Sequence, residues 1–345
     1  MHWVFAPVGL VVLGIVILDI LWTTLWVDGG SGPLSSRLTT GVWRGLRRLS
    51  SQDDRLLSAA GPLILTLTLV QWIALLWLGW TFLFAADQTS LISTHTGEPA
   101  DWTGHLYYVA YTMFTNGNGD YMPTSGTWEI ASSFTTATGM AFVTLGISYV
   151  LTVLGAVTQK RSFASDIMGL GTSPEAFIEA GWNGETFDGL ELPLESVATQ
   201  LSELAAKHKA YPILHYYHSE QAERAAAMAV PVLDDALLVL EHAVDPADQP
   251  DPVLLTRARS STDSYLDTLE TAFIDPAAET PPHPSLETVR TAGVPTKDDG
   301  SYERAVRETE ARRRKLLGVV RADAWRWPTG SLDRDRDRDG HDLAA

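Results

Sequence analysis

Thr115-Asn116-Gly117-Asn118-Gly119-Asp120 is the stretch on which the reading of this chain turns. Glycine adopts positive φ at little cost, so glycines alternating with other residues can turn successive carbonyl oxygens to one side of the backbone. Four copies about an axis would stack those carbonyls into rings, which replace the water shell of a passing cation. The Thr115 hydroxyl would extend the stack at its inner end, and Asp120 would set a charge at its mouth.

The flanks suit that arrangement. Trp102 to Phe114 precedes the stretch and reads as a helix of about 13 residues, roughly 20 Å long, too short to cross a bilayer. Asp101 is its expected N-cap. Its C-terminal end would aim a negative dipole at a central cation. Irregular backbone after a re-entrant helix is tolerated at membrane depth only where protein or water lines it, and a pore meets that condition. On either side lie long apolar runs: Leu57 to Ala86, without a charged residue and carrying Trp72, Trp77 and Trp80, and Gly126 to Val157, with glycines at 139, 146 and 155. Both read as spans, the second with the small residues of closely packed membrane helices.

Nearer the N-terminus, Val8 to Val27 is apolar and long enough to cross about 30 Å of hydrocarbon. Met1 to Pro7 holds no Lys or Arg, so the run reads as a span and not as a secretory signal. Asp19 lies inside it, and an intramembrane carboxylate is either a switch or a hydrogen-bonded structural group; the second reading is preferred. Arg37 to Leu49 follows, with Leu38, Val42, Leu46 and Leu49 on one helical face and Arg37, Arg44, Arg47 and Arg48 on the others. This is the pattern of a helix lying in the membrane interface beside anionic headgroups.

Charge gives an orientation. Five arginines separate the first two runs, Asp87 to Gly126 has only acidic charges, and Lys160 and Arg161 follow the third run. Positive-inside logic then places the N-terminus outside, the glycine-rich stretch outside and the C-terminal half in the cytoplasm, in a multi-pass protein of the plasma membrane. From Ser162 onward 33 acidic residues face 18 Lys plus Arg, within a chain of net charge -17. That acidic surface excludes nucleic acid as a partner. Cysteine is absent, so there is no disulfide and no thiolate metal site.

Leu106-Tyr107-Tyr108-Val109-Ala110-Tyr111-Thr112-Met113-Phe114-Thr115-Asn116-Gly117-Asn118-Gly119-Asp120-Tyr121-Met122-Pro123 resembles, without a gap, the pore helix and filter of the tetrameric pore-loop potassium channels. Their filter reads Thr-Val-Gly-Tyr-Gly-Asp, followed two residues later by Pro; Thr115, Gly117, Gly119, Asp120 and Pro123 match it. Thr112 falls on the family's second threonine, Tyr107 and Tyr108 on its aromatic pair, and Gly139 close to its inner-helix gating glycine, with Gly146 as second choice. The resemblance covers about Ala60 to Arg161. It implies a homotetramer passing K⁺ through backbone carbonyls.

Asn116 and Asn118 depart from the family's Val and Tyr, and Tyr111 stands where several members carry a filter-bracing glutamate. Neither asparagine removes a carbonyl ligand. Asn118 is expected to bond instead with hydroxyls of Tyr107, Tyr108 or Tyr111, since a buried amide without partners costs about 1–3 kcal/mol. Permeation of Na⁺ beside K⁺ stays open on this reading.

The expected fold is therefore an all-α membrane protein. Residues 1–29 form an N-terminal span, 30–56 a basic interfacial helix and linker, and 57–161 a pore domain of outer helix, pore helix, filter and inner helix. Residues 162–330 form a helical cytosolic domain and 331–345 a disordered tail. Helices are expected at Pro193 to Lys209, Leu214 to Val244 (with Pro231 as a break), Pro252 to Ile274 and Ser301 to Trp325. His215, His218 and Glu220 form an incomplete metal set, read as solvated or core residues. Arg312 to Lys315 reads as a solvated helix face. No nucleophile elbow or P-loop points to an enzyme. The alternative function is a non-conducting channel fold that signals through its cytosolic half.

Overall fold

The computed structural model describes residues 4–27, 30–49, 57–117, 119–270 and 274–328. They fall into two compact units, Met1–Gln52 with Ala59–Leu154, and Asp53–Ser58 with Gly155–Ala345. The expected tail at 331–345 lies outside the described residues.

The first unit is built on α1 (Phe5–Leu25), α2 (Pro33–Leu49), α3 (Ala60–Ala85), α4 (Trp102–Met113) and the start of α5 (Gly126–Leu170). Among the described residues, α1, α3 and α5 are the helices long and apolar enough to cross a membrane. α1 and α3 cross closely because both present glycine. A Cβ at Gly9 would sit 2.7 Å from the Gly79 carbonyl oxygen, and one at Gly79 would sit 2.8 Å from Leu13.

Asp19 is buried and organises this region. Its Oδ1 accepts the backbone N–H groups of Leu34 (2.8 Å) and Ser35 (3.3 Å), and its Oδ2 accepts the Ser35 hydroxyl (2.6 Å) and Trp72 Nε1 (2.8 Å). The two backbone N–H groups are orphan donors of the first turn of α2, so a side chain from α1 caps a helix that follows it in the chain. These bonds give Asp19 a structural role. On α2 itself the buried residues are Ser35, Thr39 and Trp43, while Leu38, Val42 and Leu46 are half-buried beside them. The leucine stripe read from sequence is therefore shifted by one position, because polar Ser35 and Thr39 face protein partners. Arg37, Arg44, Arg47 and Arg48 are exposed.

Two further departures concern α5 and a small sheet. The third apolar helix does not end at Val157; α5 continues to Leu170. Its composition turns from apolar to amphipathic there without any residue that stops a helix. Leu91–Ser93 (β1) pairs antiparallel with Tyr121–Pro123 (β2), Ile92 opposite Met122. No sequence signal pointed to this two-stranded ribbon, which ties the segment after the glycine-rich stretch to the loop that follows α3.

The second unit adds α6 (Pro174–Gly181), α7 (Glu191–Ala210), α8 (Ala226–His242), α9 (Pro252–Glu270), α10 (Leu286–Thr291), α11 (Asp299–Glu308) and α12 (Glu310–Ala322). The expected helix over Leu214 to Val244 is broken: short 3₁₀ turns at Pro212–Tyr216 and Ala222–Arg224 precede α8, which then runs through Pro231. Ser301 to Trp325 divides at Thr309. The helix from Pro252 ends at Glu270, and residues 271–273 lie outside the described set.

α8 is buried on all sides from Ala226 to Leu240, including Asp234 and Asp235. Both carboxylates carry arginine partners. Arg313 binds Asp235 through two bonds of 2.8 Å and also donates to Pro281 O (3.1 Å) and Pro282 O (2.7 Å). Arg312 and Arg259 converge on Asp234, each with a contact of 2.6 Å. The basic run at 312–315 is thus no solvated face, since Arg313 is 1% exposed.

Among the described residues no three His, Cys, Asp or Glu side chains are grouped as a metal site would need. His218 is instead fully buried, stacked on Trp325 at 5.3 Å, with Nδ1 3.3 Å from Asp323 Oδ1.

Candidate functional site

α4 is short and contains a glycine, so its position depends on what it packs against. Asp101 caps it, accepting Gly104 N–H at 2.7 Å. From α3, Trp77 Nε1 donates to Leu106 O at 2.8 Å. On the α5 side, the Tyr108 hydroxyl lies 2.7 Å from Ser132 Oγ, and Thr136 donates to Thr112 O at 3.2 Å. His105 adds Ser90 Oγ at 3.2 Å and Asp101 O at 2.7 Å. Gly139 has a packing reason to be glycine: a Cβ there would overlap the Met113 carbonyl oxygen at the end of α4. At Gly146 the nearest atom to such a Cβ is Leu69 Cδ2, 3.5 Å away, an ordinary contact.

Beyond Met113 the helix closes with a Schellman pair of bonds. Thr115 N–H donates to Thr112 O at 3.2 Å and Asn116 N–H to Tyr111 O at 2.9 Å. Thr115 has φ 59° and Gly117 φ 72°. Alternation of backbone handedness is present, but Gly119 does not supply it; Gly119 lies outside the left-handed region. Thr115 takes that conformation in its place. A β-branched residue there is a genuine outlier, holding roughly 1–3 kcal/mol of strain. Phe114 to Gly117 and Gly119 are exposed in the single chain.

Asp120 is held from two directions. Tyr107 donates its hydroxyl to Oδ2 at 2.9 Å, and His95 Nε2 lies 3.1 Å from Oδ1. The bond from His95 and then that from Tyr107 hold the Asp120 carboxyl below the usual carboxylate range. The aromatic rings of Tyr107 and Tyr111 lie 4.4 Å apart. The brace expected between Asn118 and the tyrosines falls on a residue outside the described set. The hydroxyls of Tyr107 and Tyr108 reach Asp120 and Ser132.

Sequence reasoning missed Thr94 and His95. Thr94 donates its hydroxyl to Gly119 O at 2.6 Å and its N–H to Asp120 O at 2.9 Å. Both residues lie 25 positions before their partners, and only the β1–β2 ribbon brings them close. No spacing rule signals that. Ser132 and Thr136 had a weak signal, one helical turn apart on the third apolar run.

A short capped helix seated between two long apolar helices, followed by exposed backbone of alternating hand, is the geometry of a pore loop. A family model described as an ion channel matches residues 68–156, which contain α4, the glycine-rich stretch and most of both flanking helices. An uncharacterised membrane protein of Bacillus subtilis (strain 168), YdjJ, is 40% identical over 320 residues, 93% of this chain and 94% of that protein. This chain belongs to the pore-loop ion-channel family. It is a helical membrane protein, and the similarity to YdjJ extends well beyond the pore region. No solved structure matches it.

Proposed function

We propose that the protein is a homotetrameric cation channel that passes K⁺ through rings of backbone carbonyls from Thr115 to Gly119, with Asp120 at the outer mouth. The observation that carries this reading is the left-handed backbone at Thr115 and Gly117, two residues apart and directly beyond the seated end of α4. Such alternation faces carbonyls to one side, and in a single chain those residues are exposed, as groups awaiting three other copies are. Tyr107, Tyr108, Tyr111 and Thr112 support the filter from α4, and α5 lines the inner path past Gly139 and Gly146. Exposed Phe134, Met140, Ile147 and Leu151 on α5 suit burial against neighbouring copies and lipid.

The N-terminus faces outward and the C-terminal helices the cytoplasm of a plasma membrane. The four exposed arginines of α2 then lie level with anionic headgroups, where each basic residue is worth about 1 kcal/mol of attraction. Asparagine at 116 and 118 in place of larger apolar and aromatic residues leaves the filter less rigidly sized, so Na⁺ accompanies K⁺ to a measurable extent.

Purified protein in planar bilayers under opposed K⁺ and Na⁺ gradients tests this. A reversal potential displaced toward the K⁺ equilibrium value supports it. Absence of current from protein shown to be tetrameric would refute it and favour the signalling alternative.

A further inference from the structure

The carbonyl at the top of the glycine-rich stretch already has a partner. Thr94 Oγ1 donates to Gly119 O at 2.6 Å, a short bond, and Thr94 N–H reaches the next carbonyl, Asp120 O, at 2.9 Å. His95 then meets the Asp120 side chain at 3.1 Å. Three successive contacts thus run between one loop and the last two residues of the stretch.

The loop is itself braced. β1 enters it already paired with β2, which begins directly after Asp120. Ser93 N–H donates to Glu98 O and Gly97 N–H to Ser93 O, both at 2.9 Å. Ser93 Oγ accepts the N–H groups of His95 (3.3 Å) and Thr96 (3.4 Å). Gly97, at φ 73°, closes the turn without a Cβ penalty. A rigid loop of the same chain therefore approaches Gly119 and takes up its carbonyl.

A carbonyl that replaces the water of a centrally placed cation must point at the axis of the assembly. One that accepts a hydroxyl of its own chain at 2.6 Å points toward that chain's loop. We propose that Thr94 is a positioning residue that draws the Gly119 carbonyl out of the ion path, so that ordered carbonyl ligation stops short of Gly119. The inference rests on the filter reading above and narrows it. The cation at the outer mouth keeps its hydration water and is met by Asp120 carboxylates, and stripping of that water begins one ring deeper. His95 and Tyr107 hold the carboxylate in that place from opposite sides.

The test begins with the unmodified full-length tetramer, its structure determined in Tl⁺ so that anomalous scattering marks each bound ion. Tl⁺ is expected at the inner rings and not at a ring of Gly119 oxygens. Thr94→Val, which keeps the shape and removes the donor, is expected to add an outer Tl⁺ position. It should also shift the Na⁺ to K⁺ permeability ratio by about fivefold, the value of one net hydrogen bond. Thr94→Ser, which restores the hydroxyl, should leave the ratio within about twofold of the unmodified channel. Tl⁺ bound by Gly119 oxygens in the unmodified protein, or equal ratios for the valine and serine variants, overturns the inference while leaving the filter intact. Tl⁺ at no ring, with no flux, overturns the filter reading and this inference together.

Discussion

Replacing Asp19 with asparagine measures how firmly α2 is tied to the first two apolar helices. In the protein, Asp19 accepts four hydrogen bonds, two from backbone N–H groups of α2, one from the Ser35 hydroxyl and one from Trp72 Nε1. Asparagine's Oδ1 can keep the two backbone bonds, and the Ser35 hydroxyl can rotate to accept from Nδ2. Trp72 cannot: its indole N–H would face another donor. One buried donor is then unpaired, at a cost of about 1–3 kcal/mol, and the remaining bonds lose about 1 kcal/mol more in strength. The expected loss is roughly 2–4 kcal/mol, or roughly 4–16 °C in melting temperature for a unit of this size. Loosened α2 should also expose Arg37, Arg44, Arg47 and Arg48 to trypsin sooner, giving faster appearance of fragments cut between the first two apolar helices. The assay is thermal unfolding in detergent, followed by tryptophan fluorescence, with timed tryptic digestion beside it. A midpoint within 1 °C of the unmodified protein, together with an unchanged digestion rate, would refute the capping account and return Asp19 to candidacy as a switch.

Other substitutions probe the packing and the charges. Gly139→Ala forces a methyl into the Met113 carbonyl and should cost about 1–3 kcal/mol and abolish flux, while Gly146→Ala has room and should conduct; the reverse ranking would sink the packing argument. Arg313→Ala leaves the Asp235 carboxylate buried without its counter-ion and should destabilise by about 3–5 kcal/mol, whereas the paired change Asp235→Leu with Arg313→Met should be close to neutral in chemical unfolding of the whole chain. Burial pushes the Asp235 carboxyl up to about 6 against the opposing pull of Arg313; without that pull the carboxyl is pushed higher still, so the single variant should recover part of its loss as pH falls toward that value. His208 is held well below the ordinary histidine range, first by burial and then by Lys160 and His215. Its folded form stays neutral while the unfolded chain takes up a proton, so stability falls as pH drops through about 6.5, by about 1.4 kcal/mol at one unit below. His208→Gln should flatten that acid limb of the melting profile.

What the sequence disclosed followed the strength of local signals. Apolar runs long enough for a bilayer gave α1, α3 and α5 to within a few residues at their starts, and Asp101 before an aromatic-rich segment gave α4. The continuation of α5 past Val157 was invisible because a helix passing from an apolar to an amphipathic stretch leaves no mark, although Gly171 stands just beyond its end at Leu170. Strands of three residues carry no usable alternation, so β1 and β2 were missed. With them went Thr94 and His95, which acquire meaning only once the ribbon folds them onto Gly119 and Asp120. Arg312 and Arg313 read as solvated because their partners Asp234 and Asp235 lie in the interior of a helix with no other charge nearby in sequence. Glycine was expected to carry the positive φ angles; at Thr115 the hydrogen bonds to the end of α4 impose one on a residue that resists it.

The spacing of the ion pairs in α8 has a consequence for synthesis. Asp235 leaves the ribosome 78 residues before Arg313, the arginine that neutralises it, whereas Asp234 gains Arg259 after 25. At 5–20 residues per second the longer wait is about 4–16 s, during which the buried stretch of α8 carries the unmatched charge of Asp235. The C-terminal half must therefore finish folding after translation has nearly ended, by which time the apolar helices have long been handed to the bilayer. A chain that stops before α12 would keep its pore segments and lose the means to bury α8.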